Sequence, residues 1–144
     1  MMEQDTVRLL RECDAGIKMG VTAIDDVLDH VTDRSFKALL VDSKNEHEKL
    51  KNQLEEALQR FHDEGKNPNP MAQGMTRMKT GMKINFDGSD NAIADIMTDG
   101  CNMGVKSLHR YLNKYKAADE SAKNITKQLV NIEERLAVDM RHYL

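Results

Sequence analysis

Apolar and small residues recur every three or four positions along most of the chain, and their spacing draws four separate stripes. The first runs through Val7, Leu10, Cys13, Ile17, Val21, Ile24, Leu28 and Val31 and predicts an amphipathic helix near 6–31. A second, through Phe36, Leu39 or Leu40, Ser43, His47, Leu50, Leu54, Leu58 and Phe61, predicts a helix near 33–64. Thr32 or Asp33 can supply its N-cap oxygen, and Gly65 stops it ahead of Pro68 and Pro70. The third stripe follows the turn-and-cap run Phe86-Asp87-Gly88-Ser89-Asp90 and passes through Ile93, Ile96 or Met97, Gly100, Gly104, Leu108, Tyr111 and Tyr115, for a helix near 90–116. Ile125, Leu129, Ile132, Leu136 and Met140 form the fourth, near 119–143, capped by Asp119. Helices of about 25 to 30 residues span roughly 40 Å at 1.5 Å per residue. Residues 1–144 therefore read as one all-α domain, an antiparallel four-helix bundle.

The links within the first pair and within the second pair are short, so each pair must fold back as a hairpin. A connector at 65–89 separates them. Inside it, Asn69-Pro70 resembles an N-cap and first-turn proline opening a short helix marked by Met71, Met75, Met78 and Met82, weakened by Gly74 and Gly81. One long connection between two hairpins is the pattern of a bundle with a single crossover.

The two halves also match each other. Cys13-Asp14-Ala15-Gly16-Ile17-Lys18 aligns with Cys101-Asn102-Met103-Gly104-Val105-Lys106 at an offset of 88, and Ser35, Lys37, Asn45, Glu48, Lys49 and Leu50 align with Ser121, Lys123, Asn131, Glu134, Arg135 and Leu136 at an offset of 86. Glycine is about 1 kcal/mol worse than alanine inside a helix. Gly16, Gly20, Gly100 and Gly104 are accordingly expected where the first and third helices approach closely, with Cys13 and Cys101 facing one another across the centre.

Composition narrows the role. With 21 basic against 24 acidic residues and a net charge of −3, the chain has no basic excess with which to neutralise a run of phosphates, so nucleic-acid binding is not expected. Three tyrosines, three phenylalanines and no tryptophan suit helices packed on helices better than a sheet. No stretch approaches the roughly 20 apolar residues of a membrane span. The acidic start Met1-Met2-Glu3-Gln4-Asp5 lacks the basic flank of a secretion signal, so a cytoplasmic location is expected, with both cysteines as thiols.

Chemistry has few candidate homes, since no phosphate loop, dinucleotide fingerprint, nucleophile elbow or catalytic triad is present. His47 lies on the inner stripe and reads either as a packed, hydrogen-bonded histidine or as part of a metal site with Cys13, Cys101 and Glu133 or Glu134. Thiolates with imidazole suit zinc or copper(I) better than iron. From Gly65 to Phe86 the chain carries Lys66, Arg77, Lys79 and Lys83 and no acid. With its methionine face this stretch reads either as a connector covering the core or as a docking surface for a protein partner or an anionic membrane.

The paired hairpins, the Cys13-Asp14-Ala15-Gly16 and Cys101-Asn102-Met103-Gly104 repeat and the Leu108-His109-Arg110-Tyr111-Leu112 run resemble the ferritin-like superfamily, most closely its small bacterial four-helix members. The resemblance implies the fold over nearly the whole chain. In metal-bearing members two glutamates and two Glu-x-x-His pairs hold two iron or manganese ions. Here the residues three positions before His30, His47, His62, His109 and His142 are Val27, Lys44, Gln59, Lys106 and Asp139, and the third helix holds no glutamate. The expectation is thus a non-catalytic binding or structural module, possible as a homo-oligomer. The alternatives are a metal-binding oxidase or iron-handling protein with a degenerate ligand set, and an adaptor docking through the methionine segment.

Overall fold

A computed structural model describes residues 2–68 and 89–144. It is all-helical, with α1 (Met2–Leu28), α2 (Arg34–Gln59), α3 (Asp90–Lys114) and α4 (Glu120–Met140), a closing 3₁₀ turn at Arg141–Tyr143, and no strand among the described residues. The expected short helix through Met71, Met75, Met78 and Met82 lies outside the described residues.

Three helix starts follow the cap chemistry of the sequence. Asp33, Ser89 and Asp119 sit in extended backbone, and each accepts a hydrogen bond from the N–H three positions on, at Phe36, Ala92 and Ala122. Several bounds differ from expectation: α1 begins at Met2, not near 6, α3 and α4 end at Lys114 and Met140, not at 116 and 143, and two further ends have a visible cause. α1 stops at Leu28, where the His30 and Val31 N–H groups turn back to Val27 and Leu28. α2 stops at Gln59, not at 64, because the chain turns at His62, whose φ of 54° ends the helical path before Gly65 (φ 89°) is reached.

The core falls into two clusters. Leu9, Leu10, Cys13 and Ile17 pack with Leu50, Leu54, Leu108 and Leu129 in one, while Ile24, Val27, Phe36 and Leu40 pack with Ile93, Met97, Cys101 and Leu136 in the other. Contacts between helices recur at regular register. Arg11 meets Asp63 and Lys44 meets Asp25 across the first pair. Cys13 meets Thr126, and Gly16 lies against Leu129, between α1 and α4.

Each of the two short inter-helix turns, α1–α2 and α3–α4, is held by residues at the start of another helix. The Asp90 carboxylate, at the first residue of α3, accepts from the Thr32 and Asp33 N–H groups at 2.9 and 2.8 Å and from the Thr32 hydroxyl. Near the start of α1, the Asp5 carboxylate accepts from Ala117 N–H and the Thr6 hydroxyl accepts from Asp119 N–H, which ties down the α3–α4 turn. Tyr143 stacks on Phe36 with ring centroids 4.5 Å apart, and its hydroxyl bonds Ser35, so the C-terminal turn closes one end of the core.

Candidate functional site

Between the two apolar clusters the inward positions turn polar. Along α2 they are Ser43 and His47, along α4 Glu133, and Gly20 of α1 abuts them. His47 has no solvent exposure and Glu133 is 9% exposed. The imidazole Nε2 lies 2.8 Å from a Glu133 carboxylate oxygen, and Nδ1 lies 2.7 Å from the Ser43 carbonyl oxygen one turn earlier. A carbonyl can only accept, so Nδ1 carries a proton and donates it. One further proton lies between Nε2 and Glu133. Either an imidazolium donates to a carboxylate or a neutral ring accepts from a carboxylic acid. Burial opposes the imidazolium, but the hydrogen bond and negative charge of Glu133, with the Ser43 carbonyl and Glu46, outweigh it and hold the His47 pKa above its ordinary 6.5.

Cys101 of α3 lies near enough to Glu133 for the carboxylate to act on its thiol. Burial, and then that neighbouring carboxylate, push its pKa far up. Cys13 sits elsewhere, 3.0 Å from the Thr126 hydroxyl. The Thr126 hydroxyl proton goes to the Ala122 carbonyl at 2.9 Å, so the Cys13 S–H is the donor to Thr126. Burial raises the Cys13 pKa to about 12, and the nearby Glu12 and Asp14 carboxylates act in the same direction. The two thiols therefore do not face each other, as the repeat led one to expect. Each belongs to a different core cluster.

Of the five metal candidates, the structure brings together His47, Glu133 and Cys101, keeps Cys13 with Thr126, and leaves Glu134 on the exposed side of α4. Among the described residues no group of three or more His, Cys, Asp or Glu side chains is arranged to hold a metal ion. The docking candidates Met71, Met75, Met78 and Met82 lie outside the described residues. No helix among the described residues is long and apolar enough to cross a membrane.

The glycines serve the polar layer more than an α1–α3 seam. A Cβ on Gly20 would fall 2.8 Å from His47 Nε2 and 3.4 Å from Glu133, and one on Gly104 would lie 3.8 Å from the Glu133 carboxyl group. Gly16 meets Leu129 of α4. Gly100, expected inward, is exposed with nothing within 4 Å, because it stands one position before Cys101 and so off the inner stripe defined by Met97, Cys101 and Leu108.

Sequence reasoning passed over Asp14, which is 2% exposed. Its carboxylate accepts from Lys18 Nζ at 2.7 Å and from the Lys66 N–H at 3.0 Å, clamping the chain that leaves α2. Lys18 also donates to Asn67, and Lys66 Nζ pairs with Glu12. A Cβ on Gly65 would drive into the Asp14 carboxylate, which explains the glycine there beyond its positive φ. The signal available beforehand was the Asp14–Lys18 spacing of four on one helix face. No family model matches the chain, and no curated protein or solved structure matches it either.

Proposed function

We propose that the chain is a ferritin-like bundle of two related hairpins acting as a non-catalytic binding or structural module, with a proton-bearing pair at its centre where metal-bearing relatives place ligands. Contact register supports the arrangement. Asp25–Lys44, with Arg11 against Asp63 just beyond α2, fits opposite directions for α1 and α2, and His47–Glu133 with Arg135–Glu46 fits the same for α2 and α4. Thr6–Asp119 and Cys13–Thr126 share a separation of 113 residues, so α1 and α4 run the same way. Asn91–Tyr143 at one end and Gly104 against Glu133 further along make α3 opposite to α4. One crossover between parallel α2 and α3 satisfies all of these.

The pseudo-repeat has support of the same kind. The helix-capping Asp33 and Asp119 stand 86 positions apart, the offset of the second matched stretch, and so do His47 and Glu133. The buried pair is then one register position seen in both copies, meeting at the axis that relates them.

The observation that carries the non-catalytic reading is the saturation of His47. Both ring nitrogens are engaged by protein groups at 2.7 and 2.8 Å. The metal-binding alternative draws on one feature: an Nδ1–H held by a backbone carbonyl is how metal-binding histidines are oriented from behind. Titration of the purified, metal-stripped protein with Co²⁺ and Zn²⁺, followed by absorption and elemental analysis, separates the two. The module reading expects no stoichiometric uptake. A full equivalent of metal lost in both His47→Ala and Glu133→Gln would overturn it in favour of the degenerate metal site.

A further inference from the structure

The outer groove between α2 and α4 carries an unusual order of charge. Two shallow troughs lie along it and share Gln53 and Gln128. One end is lined by Glu46, Lys49 and Arg135, the other by Glu56, Arg60 and Glu120. All the lining residues belong to α2, its C-cap Arg60, and α4. On α2 the positions 46, 49, 53, 56 and 60 alternate steps of three and four, the spacing of a stripe that faces another helix.

About the Gln53 and Gln128 midpoint, every charge has a counterpart of opposite sign at the matching distance. Glu46 and Arg60 stand seven positions either side of Gln53, and Lys49 and Glu56 stand four and three positions away. On α4, Arg135 and Glu120 stand seven and eight positions either side of Gln128, and the amides Asn131 and Asn124 stand three and four. One end of the groove carries net charge +1 and the other −1.

We propose that this face docks a second copy of the chain, across a two-fold axis that lies in the face, perpendicular to the helices, and passes over Gln53 and Gln128. Such an axis reverses the groove while keeping α2 over α2 and α4 over α4. Glu46 then meets Arg60 of the other copy, Lys49 meets Glu56, and Arg135 meets Glu120, each pair occurring twice by symmetry. Arg135 already donates to Glu46 at 2.8 Å, and its guanidinium retains donors for the second carboxylate. Gln53 and Gln128 fall on their own copies, and primary amides, being both donor and acceptor, pair with themselves. Leu50, Ile125 and Ile132 form the nearly buried floor that docking would seal. The inference rests on the module reading, for which it supplies the partner. An interface built from charge pairs with few apolar anchors is modest in affinity and sensitive to salt.

The test is sedimentation of the full chain over a range of concentrations. The expected result is a concentration-dependent dimer whose dissociation constant rises by on the order of tenfold from low to high salt. Lys49→Glu/Arg135→Glu places acid against Glu56 and Glu120 and gives a monomer, as does Glu56→Lys/Glu120→Lys. Mixing these two variants makes every cross-pair opposite in sign and restores dimers. Gln53→Cys forms an intermolecular disulfide under oxidation, since Cys13 and Cys101 are both buried. Circular dichroism verifies that the variants remain helical. A monomer at all concentrations, or a dimer indifferent to the charge reversals, overturns the proposal whatever the metal titration shows. Stoichiometric metal binding would instead sink the module reading and leave the dimer standing or falling on its own result.

Discussion

The His47 imidazole bridges two helices, giving one proton to the Ser43 carbonyl of its own turn and sharing another with Glu133, 86 residues away, at 2.8 Å. His47 is fully buried and Glu133 nearly so. Removing one side of a buried pair leaves the other uncompensated, at roughly 3–5 kcal/mol, whereas replacing both with apolar groups of similar volume is far milder. Glu133→Ala and His47→Ala should each lose stability in that range by urea denaturation. His47→Leu/Glu133→Leu should lose clearly less than the sum of the single changes, and additive losses would show that the two side chains act independently.

The same pair sets a direction for pH dependence. The folded protein holds the His47 pKa above the ordinary 6.5, against burial, through Glu133. A group whose native pKa is raised contributes stability that is complete below its unfolded value and is lost as pH climbs through the native one. Stability should therefore fall from about pH 6.5 upward, with a slope of at most about 1.4 kcal/mol per pH unit for one proton. His47→Gln should flatten that limb. Nitrogen-15 shifts of the ring should move at Nε2 over the same interval while Nδ1 stays protonated.

Helical periodicity and cap chemistry made most of the architecture legible, because stripes at three-and-four spacing and residues such as Asp33 and Asp119 act locally. His47 and Glu133 were both recognised as candidates, since an inner-stripe histidine must find a partner. What stayed hidden depended on rotation and on long-range register. A helix turns 100° per residue, so Gly100 and Cys101 are neighbours in sequence but face solvent and core respectively. The thiols were paired by their place in the repeat, yet Cys13 lies level with Thr126 and Cys101 level with Glu133, a difference of two helical turns along α4. The end of α2 was read from Gly65, whereas the turn comes earlier, at His62, a non-glycine residue at positive φ that no glycine or proline marks in the sequence.

The glycines should separate sharply on mutation. In a helix interior alanine is favoured over glycine by about 0.5–1 kcal/mol when nothing is displaced. Gly100→Ala meets open space and should stabilise the fold by that amount. Gly20→Ala places a methyl group 2.8 Å from a fully buried ring nitrogen, and the overpacking should cost about 1–3 kcal/mol. Thermal melts of the two variants should move in opposite directions, and Gly20→Ala should also lower the pH sensitivity by loosening the His47–Glu133 contact.

Both thiols should be silent toward Ellman's reagent in the native state. The thiolate is the reactive form, and burial holds Cys13 near 12 and Cys101 further up, the latter reinforced by the Glu133 carboxylate. Two equivalents should react once the protein is unfolded in denaturant. The two sites differ in what guards them. Cys13 donates to a Thr126 oxygen whose own proton is committed to Ala122, so Thr126→Val removes an acceptor from a buried donor at a cost of about 1–3 kcal/mol. Cys101 depends on Glu133, so Glu133→Gln removes the negative charge that disfavours its thiolate. Thiol reaction rates under native conditions should then rise in Glu133→Gln at Cys101, beyond what its loss of stability alone produces. In Thr126→Val the rate at Cys13 should rise only in proportion to unfolding. Equal behaviour of the two cysteines in both variants would show that global opening, and not local electrostatics, controls their reactivity.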